Sequence, residues 1–121
     1  MGTNNFKENL KKKMDDYVHF VYGITQDFPK SELYGTTSQF RRATLSVILN
    51  YIEGYARRRP AVQYNFFEIA YGSLQESKYL LYFSLTEKYI SEVEYKKGIS
   101  MAEEIGAMLW TELTNMEKTQ K

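Results

Sequence analysis

Apolar residues recur along this chain at intervals of three and four. Phe6, Leu10, Met14, Tyr17, Val21, Ile24 and Phe28 follow one another at spacings of 4, 4, 3, 4, 3 and 4, which is the period of one helix face. The stripe predicts a first helix over about 5–26, ended by Pro29. The stretch FPKSELYGTT is too polar and too short for a full helix, so a turn or one helical turn is expected near about 30–34, with Thr37 as an N-cap for the next helix. Phe40, Thr44, Val47, Ile48, Tyr51 and Tyr55 line a second helix over about 38–58. Leu45, Leu49 and Ile52 widen its apolar surface, so burial on more than one side is expected. Pro60 suits the first turn of a third helix over about 60–87, which carries Phe66, Ile69, Ala70, Leu74, Leu80, Leu81 and Leu85. A fourth, over about 91–117, carries Tyr95, Ile99, Ala102, Ile105, Leu109, Leu113 and Met116. No segment has a convincing strand period.

Four amphipathic helices with short connections predict an all-α fold, an antiparallel up-down-up-down four-helix bundle, as one domain over residues 1–121. Facing residues in an antiparallel pair have a nearly constant index sum. A turn near residue 59 then sets Ser46 opposite Gly72, and a turn near residue 89 sets Gly72 opposite Gly106, so that three small residues share a layer. A glycine inside a helix costs about 1 kcal/mol relative to alanine, and close helix approach is the expected reason for Gly72 and Gly106. Gly54 has the same explanation, or else admits a neighbouring tyrosine. The same register pairs Arg42 with Glu76 and leaves Arg41 within a turn of that carboxylate.

Composition narrows the chemistry. A chain of 121 residues buries a core without metal or disulfide support. It has no cysteine, which excludes disulfides, thiolate metal sites and a cysteine nucleophile. The N-terminal MGTNNFKENLKKKM lacks the apolar centre of a signal peptide, and no run approaches the roughly 20 apolar residues of a membrane span, so a soluble cytoplasmic protein is expected. Sixteen basic and fifteen acidic residues give a formal charge of +1, which argues against binding nucleic acid by bulk charge. The distribution is uneven. Arg41 to Arg59 holds five arginines and one glutamate, whereas residues 91–121 hold six glutamates and four lysines, a division that suits subunit pairing as well as ligand binding. Eleven tyrosines and seven phenylalanines are read first as core margin and interface.

The arginines carry the candidate sites. Arg41 and Arg42 are read as register-setting partners of Glu76, with phosphate binding as the alternative. Arg57, Arg58 and Arg59 close the second helix, where cations complement the negative end of its dipole; contact with RNA, DNA or an acidic protein is the equal alternative. Glu53, among apolar residues, is expected to accept hydrogen bonds from an arginine or from tyrosine hydroxyls. Lys11, Lys12 and Lys13 are read as a solvated face, with Lys11–Asp15 and Lys12–Asp16 pairs. The single histidine, His19, has no Glu-x-x-His partner, so no metal and no cofactor are expected. No phosphate loop or catalytic set is visible, and an enzyme is not expected.

FPKSELYGTTSQFRRATLSVILNYIEGYARR, then FFEIAYGSLQESKYLLYFSLTEKYIS, then EEIGAMLWTEL follow a recurring order. Phe-Pro, Gln-x-Arg-Arg-Ala, Asn-x-x-Glu-Gly, Gly-Ser-Leu-x-Glu and Tyr-Ile succeed one another. In these motifs, over residues from about 6 to 115, the chain resembles the bacterial 23S rRNA intervening-sequence protein family, to which accessory proteins of diversity-generating retroelements are distantly similar. The resemblance implies a left-handed antiparallel bundle that assembles into a ring-like homopentamer, with RNA binding as the usual conjecture. Arg41, Arg42, Ala43, Ser46, Asn50, Glu53, Gly54, Arg57, Gly72, Ser73, Leu74 and Glu76 fall on the pattern. Ile48 stands where many similar sequences have proline, which predicts a straighter second helix. Together these point to a non-enzymatic homo-oligomeric protein that binds RNA through an arginine-rich surface, or alternatively to a protein-interaction adaptor without nucleic-acid contact.

Overall fold

The computed structural model describes residues 2–119, with side chains from residue 5 onward, so the ends of the expected 1–121 unit lie outside the described residues. Four helices account for almost all of it: α1 (Gly2–Thr25), α2 (Ser38–Tyr55), α3 (Pro60–Thr86) and α4 (Glu92–Thr119). The chain is an all-α four-helix bundle, and no strand occurs among the described residues.

Local chemistry sets each helix end. Thr25 is buried at the end of α1, and its hydroxyl donates to the Val21 carbonyl at 2.7 Å. After Pro29 the chain makes a 3-10 turn, Lys30–Glu32, and then a wider turn, Leu33–Thr37, that leads into α2. The expected cap at Thr37 is absent. Thr37 already has helical dihedrals (φ −58, ψ −52) and its side chain makes no cap bond, whereas an N-cap needs an extended backbone. Glu32 takes part of that task, accepting from the Thr36 amide at 3.1 Å and hydroxyl at 2.6 Å. Lys88, with φ 64, ends α3 in the left-handed region while the Tyr89 amide reaches back to the Ser84 carbonyl at 2.8 Å. Ser91 and Glu94 then open α4 as a reciprocal capping box. The Glu94 amide donates to the Ser91 hydroxyl at 3.1 Å, and the Ser91 amide to the Glu94 carboxylate at 2.9 Å.

Contacts between successive helices run in opposite senses along the chain. Ser46 meets Ser73 at 2.7 Å, and further along α2 the Gly54 carbonyl accepts from Gln63 at 3.1 Å, earlier on α3. On α4, Gly98 lies against Leu81 and Gly106 against Leu74, again with numbers rising on one helix and falling on the other. The core they enclose is built from fully buried side chains of every helix, among them Leu10, Tyr17, Tyr51, Phe67, Leu74 and Ile105. Ile48 lies within an unbroken α2.

The register differs from expectation by about one residue, and a one-residue step turns a helix by about 100°. Ser46 faces Ser73 rather than Gly72, and Gly106 faces Leu74. Gly72 therefore points out of the bundle, where an added Cβ would meet nothing within 4 Å, so its expected role in a close approach between these helices is not what the fold uses it for. The midpoint of the turn does not fix this register: α2 stops at Tyr55, not near 58, and α3 starts at Pro60, while Ser46 meets Ser73 and Gly54 meets Gln63, so the pairing follows the side chains that interlock along the seam. Gly106 is moderately tight, with Leu74 at 3.3 Å from an added Cβ. Gly54 is the glycine that the α2–α3 contact requires: an added Cβ would lie 2.5 Å from the Phe67 ring and 3.3 Å from the Gln63 carbonyl. The ring it admits is a phenylalanine and not the expected tyrosine.

Two alanine substitutions should therefore move stability in opposite directions. Gly54→Ala collides with a buried ring and a backbone carbonyl and should destabilise by about 1–3 kcal/mol. Gly72→Ala adds helix propensity in open space and should stabilise the isolated chain by about 0.5–1 kcal/mol. Urea unfolding at low protein concentration measures both, and the same sign for the two would contradict this packing.

Candidate functional site

The α2–α3 corner begins where the α2 hydrogen-bond ladder tightens. The Ala56 amide reaches the Ile52 and Glu53 carbonyls at 3.2 and 3.1 Å, and the Arg57 amide reaches Gly54 at 3.1 Å. Pro60 then opens α3, with the Gln63 amide bonded to the Arg59 carbonyl at 3.0 Å. This leaves three consecutive arginines on a tight outer bend, beside the negative end of the α2 dipole.

Their environments are unequal. Arg57 is held within the chain: Nη2 donates to Glu53 Oε1 at 2.6 Å, and the guanidinium lies 5.0 Å from the centre of the Phe66 ring. Glu53 thus takes the arginine offered by the sequence and no tyrosine hydroxyl. Arg58 and Arg59 are exposed, and neither side chain has a partner among the described residues. With Ala56, Arg57 and Val62 they line an open cleft of about 380 Å³.

Arg41 and Arg42 part company as well. Arg41 turns toward the end of α1, where Nε donates to the Thr25 hydroxyl at 2.8 Å, Nη2 to the Tyr22 carbonyl at 3.4 Å, and the guanidinium lies 4.6 Å from the Tyr22 ring centre. It does not approach Glu76 as expected, because adjacent helix residues point about 100° apart. Arg42 and Glu76 do share a cleft of about 310 Å³ with Gln39, Ala43, Ser46 and Ser73, but no ion pair joins them. Glu76 instead accepts a long bond from Gln39 Nε2 at 3.4 Å. Register is set by the Ser46–Ser73 hydroxyl contact, with Asn50 Nδ2 donating to Ser46 Oγ at 2.9 Å.

The tightest polar cluster is one that the sequence reading does not name. The Tyr51 and Tyr55 hydroxyls donate to the two oxygens of Glu112 and so tie α2 to α4 across the bundle. Glu112 falls between Leu109 and Leu113, on the apolar stripe of α4, and an acid on such a stripe is the signal that marks it. Lys7 lies 4.2 Å from the centre of the Tyr55 ring. Elsewhere Tyr17 and Ser77 share a buried hydrogen bond at 2.8 Å. Burial pushes the Tyr51 and Tyr17 hydroxyls far above the ordinary tyrosine range; at Tyr51 the Glu112 hydrogen bond adds to it, and at Tyr17 the Ser77 bond opposes it. Burial, with the Glu112 hydrogen bond, pushes Tyr55 up to about 12.

The lysine face is also rearranged. Lys12 pairs with Asp16 at 3.3 Å as expected, but Lys11 takes Glu8 at 3.6 Å, and Asp15 is taken by the exposed His19 at 3.3 Å. Lys13 crosses to Glu104 on α4 at 3.2 Å. Among the described residues no group of three or more His, Cys, Asp or Glu side chains is arranged to hold a metal, and no helix is long and apolar enough to cross a membrane.

A family model described as 23S rRNA-intervening sequence protein matches residues 7–111. The chain belongs to that family. No curated protein matches it significantly. Among solved structures, this member of the 23S rRNA-intervening sequence protein family is similar to a protein with unknown function from the S23 ribosomal protein family of Bacteroides thetaiotaomicron. The two are 20% identical, with a TM-score of 0.78 and coverage of 86% of this chain and 97% of the other. That likeness shows a shared fold.

The two adjacent arginines of α2 should respond differently to truncation. Arg41→Ala removes charged hydrogen bonds from the α1–α2 junction and should cost about 1–2 kcal/mol, whereas Arg42→Ala should stay within about 0.5 kcal/mol. Chemical denaturation separates them, and a larger loss at Arg42 would restore the Glu76 pairing. The tyrosines predict alkaline sensitivity. With Tyr51, Tyr55 and Tyr17 raised in the fold, the unfolded chain releases its protons first, so their stabilisation is complete below the ordinary value of 10.0; that of Tyr55 is lost as pH rises through about 12, and the decline from Tyr17 and Tyr51 continues at higher pH. Thermal melts across that window should fall steeply, and less steeply for Tyr55→Phe; parallel curves for the two proteins would argue against it.

Proposed function

We propose that this family member is a non-enzymatic cytoplasmic assembly protein, a homo-oligomer and on the family pattern a pentamer, that binds RNA through the α2–α3 corner. One observation carries the RNA reading. The chain supplies partners for Arg41 and Arg57 yet leaves Arg58 and Arg59 wet and unpaired at one bend, beside an open cleft. Two adjacent free guanidiniums suit phosphate oxygens, for which arginine offers a fork of donors. With a formal charge of only +1, the remainder of the surface adds little attraction, so a single corner binds weakly. Repetition of the corner around an assembly multiplies such contacts without any new chemistry.

A second reading, a protein-interaction adaptor without nucleic-acid contact, is favoured by a different surface. Trp110 is 57% exposed, its ring 5.4 Å from that of Tyr71, in a cleft of about 370 Å³ that also includes Lys78, Glu103 and Gly106. A large aromatic at a mixed-charge cleft suits a protein partner.

Fluorescence anisotropy with a single-stranded RNA, measured across a salt series, separates the two. Binding through phosphates should weaken as salt rises, and the Arg58→Ala/Arg59→Ala double variant should flatten the log–log slope by about 1.4, at about 0.7 for each phosphate no longer neutralised. Arg57→Ala should change it less, because Glu53 already offsets that charge. No RNA shift at low salt, together with partner capture that survives nuclease, would favour the adaptor.

A further inference from the structure

Gly72 lies near the middle of a 27-residue helix, where glycine weakens the helix relative to alanine, and nothing inside the chain offsets that weakness. An added Cβ would meet no atom within 4 Å, unlike at Gly54, Gly98 or Gly106. Around it on the outer side of α3 stand Ile69, 50% exposed, and Tyr79, 61% exposed, and across the groove on α2 stands Leu49, 56% exposed. Beside them lies the cleft in which Arg42 has no partner and Glu76 has only the long Gln39 contact. The surface thus combines an apolar ridge, a position without a side chain and an unpaired guanidinium.

We infer that this outer α2/α3 face is where a second copy of the chain docks, with Gly72 at the point of closest approach. The inference rests on the homo-oligomer reading proposed above and assigns that assembly its surface. Charge selects the occupant. The face carries both a free guanidinium and a carboxylate, so the phosphate backbone of a nucleic acid would meet Glu76 beside Arg42 and apolar side chains beyond them. The chain itself carries the complement: α4 holds six glutamates against three lysines, and of these glutamates Glu92 and Glu103 are exposed and have no ion-pair partner among the described residues. A contact between the α2/α3 face of one copy and the acidic α4 of the next joins two different surfaces. Contacts of that kind run head to tail and close into rings when the rotation permits. A glycine at the crossing lets the backbones approach, and the neighbouring Ile69 and Leu49 lose their exposure to water.

The test uses the full chain and sedimentation velocity over a concentration series. Gly72→Leu points into open space within one chain, so its helical signal and melting temperature at low concentration should be retained. Its dissociation constant for assembly should rise at least about tenfold, because a leucine would stand where the partner approaches. Arg42→Glu should weaken assembly in the same direction while leaving the fold intact. Gly23→Leu, at another exposed glycine with nothing within 4 Å of an added Cβ, is the matched control and should leave the mass unchanged. If the unaltered chain assembles and both Gly72→Leu and Arg42→Glu keep its mass, or if Gly23→Leu is as disruptive as Gly72→Leu, this face is not the interface although the oligomer stands. If the unaltered chain remains monomeric at every concentration, both this assignment and the homo-oligomer reading are overturned.

Discussion

The register between α2 and α3 is the constraint on which the rest of this structure depends. It is set by the Ser46–Ser73 contact along the seam and, at the corner, by Gly54, which yields its side-chain space to the Phe67 ring. Phe67 in turn stacks on Tyr51, with centroids 4.9 Å apart, and lies 5.1 Å from Tyr55. Those two tyrosines are thereby aimed at α4, where both meet Glu112. A glycine and a ring thus place the polar tie that spans the bundle. Any side chain at position 54 pushes on that whole sequence of contacts.

Polar ties matter here because apolar packing is permissive. Leucines and isoleucines on four stripes would accept several rotations of one helix against another, whereas a buried hydroxyl must find its acceptor or lose a hydrogen bond that water would otherwise supply. Tyr17 with Ser77 links α1 to α3, Tyr51 and Tyr55 with Glu112 link α2 to α4, and Arg41 with Thr25 and Tyr22 links α2 to α1. Each tie joins helices that a rotation would separate. Tyr17, Tyr51 and Tyr55 fit this use, since each brings a packed ring and one hydroxyl that finds a partner.

The helices were legible in the sequence because their apolar spacing is regular and their stops are prolines, a glycine-bearing turn and a capping box. The candidate site was less so. Pairing Arg42 with Glu76 rests on an index sum taken from the turn, whereas the register follows the Ser46–Ser73 contact, which periodicity does not resolve to within a residue. That small error carries Gly72 from the inside to the outside and leaves Arg42 without the expected partner. Arg41 is displaced for a different reason: it points about 100° away from Arg42 and so reaches back to Tyr22 and Thr25 at the end of α1. Glu112 is visible in principle as an acid within the Leu109–Leu113 stripe, but the hydroxyls that satisfy it come from about sixty residues away and no local rule names them.

The charges that remain after these internal ties define what the molecule offers to others. Glu53 neutralises Arg57, Asp16 holds Lys12 and Glu104 holds Lys13, so much of the evident basic surface is already engaged within the chain. Charges of both signs remain without an ion-pair partner among the described residues, including Arg58 and Arg59 at the corner, Arg42 on the outer face of α2, and Glu92, Lys96, Lys97 and Glu103 on α4. A nearly neutral protein with mixed free charges gains little from long-range attraction, and its selectivity comes from where those charges sit relative to apolar neighbours. The corner pair lies on a bend beside an open cleft, a setting that a flexible anion reaches easily. Arg42 lies beside an apolar ridge and a bare glycine, a setting that excludes water only when a shaped surface covers it. The packing around each guanidinium, more than its charge, distinguishes the two settings.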